Sequence, residues 1–179
     1  MKTLVLGATG FIGGQIAKAA LSAGWPVRGL RRNPESRGIF RESTVEWVTG
    51  NLADPASLET AMQDIEIVFH AAAFYPTDGN PRKVPQQIDF ARREIDNVLH
   101  AAQNSGVKRL IYTSTLSTIA LPPAGTERLA DERDIYQPGS LPKSGYYETK
   151  IVMEKEVAVK FGPGNPAFVE KQKEILMAA

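Results

Sequence analysis

Residues 4–13 read Leu4-Val5-Leu6-Gly7-Ala8-Thr9-Gly10-Phe11-Ile12-Gly13, an apolar run broken by three glycines and followed by a helical pattern. A strand before and an amphipathic helix after make a glycine triplet a phosphate loop. The first glycine turns the chain, the second lets backbone approach a pyrophosphate, and the third lets the helix pack close to the strand. The helix N-terminus then offers free N–H groups and the positive end of its dipole to an anion. Gly7, Thr9, Gly10, Phe11, Ile12 and Gly13 are therefore candidate phosphate-site residues.

The rest of the chain continues the alternation. Pattern and punctuation predict strands over 2–7, 26–31, 45–48, 66–70 and 109–114, and helices over 11–23, 55–63, 86–105 and 145–161. Asp54 reads as an N-cap with Pro55 at the first helical position; Gly24 and Gly106 read as helix stops. The first helix shows an apolar face of Ile12, Ile16, Ala19, Ala20 and Ala23. Strands alternating with helices imply an α/β fold, a doubly wound parallel sheet covered on both faces. Stretches 74–85 and 119–144 read as loops following strand C-termini, where such sheets bind ligands. A length of 179 residues suits one such domain. Twenty-one basic against 20 acidic residues argues against a general nucleic-acid or anionic-membrane partner. No apolar run approaches a membrane span, and the N-terminus enters a strand directly, so a cytoplasmic location is the simplest expectation. The absence of cysteine excludes disulfides and thiol nucleophiles. His70, at a strand end, reads as a packed residue; it and His100, without cysteines, give no metal-ligand pattern, so no metal is expected.

Tyr146 and Lys150 stand four apart, on one face of the last helix, after a strand that ends in Thr113-Ser114-Thr115. A glycine loop, a hydroxyl-ended strand and Tyr-x-x-x-Lys, in that order, resemble the short-chain dehydrogenase/reductase superfamily. The wording Gly-Ala-Thr-Gly-Phe-Ile-Gly resembles its extended branch of epimerases, dehydratases and dihydroflavonol-reductase-like enzymes, and the likeness runs from Met1 to about Lys160. It implies a Rossmann-like fold and an oxidoreductase or epimerase-like activity on a carbonyl or sugar-type substrate. It gives Tyr146 the role of acid and base, and Lys150 that of tuning the tyrosine and binding the nicotinamide ribose. Thr115 would polarise the substrate oxygen, with Ser114 and Ser117 as substitutes. Tyr147, about a hundred degrees around the helix, is expected to pack instead.

The likeness also implies a dinucleotide. Arg31 stands where an NAD-preferring site carries an acid, and Arg32 follows; two guanidinium groups suit a ribose 2′-phosphate, so NADP is expected ahead of NAD. Gly50-Asn51-Leu52-Ala53-Asp54 resembles a segment whose acid and leucine flank the adenine, with Asn51 in place of the acid and Leu52 as an apolar face. His70-Ala71-Ala72-Ala73 resembles the turn beneath the cofactor, where small side chains permit close approach. Ala71, Ala72, Ala73 and Thr113 thus join Tyr146 and Lys150 as cofactor candidates.

Two departures from the family pattern stand out. The helical stretch Ala91-Arg92-Arg93-Glu94-Ile95 lies where relatives carry Asn-Val-x-Gly-Thr. After Lys160 the chain passes directly to Phe161-Gly162-Pro163-Gly164-Asn165-Pro166, the wording of a loop that follows a sixth strand, with no strand before it; 169–177 reads as one short helix. The expectation is a Rossmann domain over 1–161, truncated after the Tyr-x-x-x-Lys helix, and a remnant of a substrate-binding region over 162–179. That ending keeps open a noncatalytic NAD(P)-binding sensor or enzyme remnant. The likeness further implies a homodimer paired through the helices over 86–105 and 145–160.

Overall fold

The structure is a computed structural model and describes residues 1–40, 44–76, 79–131, 133–161 and the backbone of 168–169. Strands β1 (Thr3–Leu6), β2 (Val27–Arg31), β3 (Val45–Thr49), β4 (Ile67–His70), β5 (Arg109–Tyr112) and β6 (Phe168–Val169) form one parallel sheet in the order β3-β2-β1-β4-β5-β6. Helices α1 (Phe11–Ser22), α2 (Pro55–Met62), α3 (Val84–Asn104) and α4 (Gly145–Phe161) connect and cover it. The doubly wound, Rossmann-like expectation holds.

Side-chain alternation divides the core in two. Leu4, Leu6, Val68, Leu110 and Tyr112 pack against α2, α3 and α4. Val5, Ile67, Phe69 and Ile111 point the other way, toward α1. The register places Leu6 beside both Leu30 and His70, and His70 beside Tyr112. The next residues, Gly7, Arg31, Ala71 and Thr113, therefore line one edge. The order reverses between β1 and β4, and the crevice outside such a switch point is where open α/β sheets bind ligands.

Local signals explain most boundaries. The Asp54 carboxylate accepts from the N–H groups of Ala56 and Ser57 at 3.1 and 3.4 Å and starts α2. Helix α1 departs from its expected apolar face: Gly13, Gly14, Ala17 and Ala20 are buried, whereas Ile12 is 51% exposed. The helix lies too near the sheet edge for larger side chains. β5 ends at Tyr112, so the three hydroxyl residues lie just beyond the strand. The loop over 74–85 contains a 3-10 turn, Pro81–Lys83, and α3 begins at Val84, two residues before its predicted start.

One short strand follows the 161–166 stretch. Phe168–Val169 pairs with Arg109 and Leu110 of β5. Two residues are below what a strand pattern can register, and the free edge of β5 supplies the partner. Val169 is thus strand; the remainder of the helix predicted over 169–177, and most of the expected remnant over 162–179, lies outside the described residues. Among the described residues no helix is long and apolar enough to cross a membrane.

Candidate functional site

The glycine loop separates its glycines by role. Gly7 has a φ of +90°, and a Cβ there would sit 3.0 Å from the Ala71 and Ala72 backbone. A Cβ on Gly13 would lie 2.1 Å from the Gly7 carbonyl oxygen. Both glycines are required by the chain's own packing. Gly10 is not: its φ of −88° is open to any residue, it is exposed, and a Cβ would meet only the Gly7 oxygen, at 3.3 Å. Gly10 is the N-cap of α1 without a side-chain cap, and no acid occupies the first turn. Phe11 beside it is 79% exposed. An uncapped helix start with free N–H groups and a bare second glycine fits an anionic pyrophosphate.

The segment after β2 closes on this loop. A Cβ on Gly38 would lie 2.9 Å from the Thr9 Cα, and the Ile39 side chain reaches Gly14. Arg31 donates to the Ser36 carbonyl at 3.2 Å, and its guanidinium lies 5.5 Å from the centre of the Trp47 ring. Arg32 is exposed. At the end of β3, the Asn51 side-chain oxygen accepts from the Ala53 N–H at 3.1 Å, a local turn. Leu52, expected to offer an apolar face, is 8% exposed and packs into the core, with its carbonyl held by the Asn97 amide at 3.0 Å.

The other half of the edge gathers the chemistry-bearing residues. Helix α4 packs against the 3-10 turn Leu116–Thr118, whose N-cap is Thr115. The Thr115 hydroxyl accepts from the Ser117 N–H and lies 3.1 Å from the Ser117 hydroxyl. The Ser114 hydroxyl donates to the Glu154 carboxylate. The Tyr146 ring lies 4.9 Å from that of Tyr75, so the loop after β4 touches the tyrosine. Tyr147, expected to pack, is 41% exposed, its ring 5.5 Å from that of Tyr146.

Electrostatics tie α4 to the strand ends. Burial holds the Lys150 ammonium below the usual lysine range. Burial, with a smaller contribution from the Lys150 charge, pushes the His70 imidazole down to about 3, so it is neutral. Burial pushes the Tyr112 phenol up, aided by Glu154 and Tyr146. Both ring nitrogens of His70, the Tyr112 hydroxyl and the Thr113 hydroxyl are buried without a hydrogen-bond partner. His70 meets Tyr112 edge-on, 5.5 Å between ring centres, as the packed residue its sequence position implies.

Three supporting residues escape a sequence reading. Glu148, 1% exposed, accepts from the backbone N–H groups of Gly139, at 2.7 Å, and Leu141, fastening the loop before α4. Gly145 admits Gln87: a Cβ there would lie 1.8 Å from the Gln87 side-chain oxygen. Asn97 anchors Leu52 across 45 residues.

The description "NAD dependent epimerase/dehydratase family" matches residues 3–159. The chain belongs to that family. Among its relatives, sterol demethylase protein B of Methylococcus capsulatus is 28% identical over 160 residues, 89% of this chain and 47% of its own length. A 3 beta-hydroxysteroid dehydrogenase/Delta 5→4-isomerase of Mycobacterium tuberculosis is 28% identical over 90% of this chain and 43% of its own. The crystal structure of vestitone reductase from alfalfa (Medicago sativa L.) superposes with a TM-score of 0.71 at 26% identity, covering 95% of this chain and 55% of that one. The chain thus spans about half the length of the curated relatives it matches.

Proposed function

We propose that this chain is an NADP(H)-dependent oxidoreductase of the epimerase/dehydratase type, acting on a carbonyl or sugar-type substrate with Tyr146 as proton donor and acceptor. One observation carries the reading. Tyr146 and Lys150, one helical turn apart on α4, are docked on the same sheet edge as the uncapped glycine loop. When bound, the cofactor supplies or accepts the hydride.

The chain's residues divide the remaining work. Gly7, Thr9, Gly10, Phe11, Ile12 and Gly13 would hold the pyrophosphate. Arg32, exposed at the end of β2, would take the 2′-phosphate with Arg31 behind it. Asn51 and the Leu52 edge would border the adenine, Ala71–Ala73 would underlie the cofactor, and Thr113 with Lys150 would meet the nicotinamide ribose. Lys150, one turn along the helix, would orient the phenol, and Tyr146 would give the proton to the substrate oxygen or take it back. The Thr115 hydroxyl would hydrogen-bond the same substrate oxygen. The same reading includes a homodimer across α3 and α4 and a cytoplasmic location.

The test is a turnover screen of aldehydes, ketones and nucleotide sugars with NADPH. Tyr146→Phe is expected to bind NADPH as wild type and to lose turnover, because only the transferable proton is gone. Wild-type turnover surviving Tyr146→Phe unchanged refutes the mechanism. Lys150→Met is expected to lose both turnover and affinity.

A further inference from the structure

Glu94 occupies a position on α3 where the ordinary expectation is a solvated charge, yet only 8% of its surface is exposed. The Phe74 N–H hydrogen-bonds its carboxylate, but Oε2 is buried with no partner. A buried carboxylate oxygen without a donor is costly, so its retention calls for an account.

Its surroundings define which ligand. Phe74 directly follows the Ala71–Ala73 turn. Arg32, at the end of β2, acts on the carboxylate electrostatically. Asn97, about one turn further along α3, binds the Leu52 carbonyl at the end of β3. Glu94 therefore stands where the ends of β2, β3 and β4 converge. Burial holds its carboxyl above the usual range against the pull of Arg32 and the Phe74 N–H.

The sequence departs from its family's pattern at two places, one after β3 and one on α3, the elements that Asn97 ties together through the Leu52 carbonyl. Asn51 replaces an acid, and its side-chain oxygen is engaged by the Ala53 N–H at 3.1 Å. Glu94 replaces a glycine in the α3 stretch. The charged acceptor is replaced by an amide at the β3 end, and a carboxylate is gained on α3.

We propose that Glu94 Oε2 is the acceptor for the 6-amino group of the cofactor's adenine, which makes it a base-specificity residue. The assignment rests on the dinucleotide reading above. Carboxyl torsions are broad, so a small rotation presents Oε2 to the base while its twin oxygen keeps the Phe74 N–H.

The experiment is fluorescence titration with NADPH and with its 6-oxo analogue, deamino-NADPH, which carries hypoxanthine. The wild-type protein is expected to bind NADPH at least about tenfold tighter, the scale of one hydrogen bond to a charged acceptor. Glu94→Ala should bind both alike. Glu94→Gln should invert the preference: the Phe74 N–H demands the amide oxygen, so the amide N–H₂ faces the base and suits a 6-oxo group. The wild-type comparison needs no variant to fold. Equal wild-type affinities, or discrimination that persists in both variants, overturns the assignment of Glu94 alone. Binding of neither dinucleotide overturns the cofactor reading and this assignment with it.

Discussion

Gly10 and Gly13 lie three residues apart in the same loop, and the structure assigns them opposite consequences on substitution. Valine at position 10 keeps an accessible backbone conformation, φ −88° and ψ 175°, and adds atoms on an exposed surface where the first contact is the Gly7 oxygen at 3.3 Å. Loss of a permissive N-cap glycine is partly offset by the smaller entropy of the unfolded chain, so stability should change by no more than about 1 kcal/mol. The branched side chain stands in the space that pyrophosphate requires. Losing two phosphate hydrogen bonds there is worth about 3 kcal/mol or more, roughly a hundredfold or more in affinity. Alanine at position 13 places a methyl 2.1 Å from the Gly7 carbonyl oxygen, so backbone must move. Overpacking of this kind costs about 3 kcal/mol, or about 6–12 °C in melting temperature for a domain of this size. Calorimetric titration with NADPH and thermal melting of both variants decide the matter. A Gly10→Val protein that binds like wild type refutes the phosphate-loop assignment. A Gly13→Ala protein that melts like wild type refutes the packing argument.

Three other outcomes are expected. Arg32→Ala should weaken NADPH about ten- to a hundredfold and leave NADH nearly unchanged, as calorimetry with both cofactors will show; equal losses would remove the 2′-phosphate role. Lys150→Met should raise the melting temperature of the cofactor-free protein at pH 7, because the ammonium is held desolvated, with its pKa depressed. The unfolded chain binds the proton more tightly, so wild-type stability rises with pH between the folded and unfolded lysine values; the gap between the two proteins should narrow toward pH 10.5. Glu148→Ala strands the N–H groups of Gly139 and Leu141 and should cost about 1–3 kcal/mol or more, with faster proteolysis over 137–144 than in wild type.

The sequence alone determined the order of strands and helices, the parallel α/β class, the glycine loop, and the Tyr146–Lys150 pair. Each is written in a short window, as periodicity, capping or fixed spacing, and needs no distant partner. Tertiary structure decided what those windows could not hold. Glu94, Glu148 and Glu154 lie on helices yet are buried, because the loop backbone at Phe74, Gly139 and Leu141 and the hydroxyl of Ser114 come to them from elsewhere in the chain. Ile12 reads as a core residue and is exposed, because α1 approaches the Gly7 turn so closely that glycine must fill the contact. Leu52 is fastened into the edge of the core by Asn97, an anchor 45 residues away. Phe168–Val169 becomes a strand only because β5 offers an edge. In each case the deciding interaction joins segments far apart in sequence. Its free energy depends on burial and on hydrogen-bond partners that exist only once the sheet has assembled.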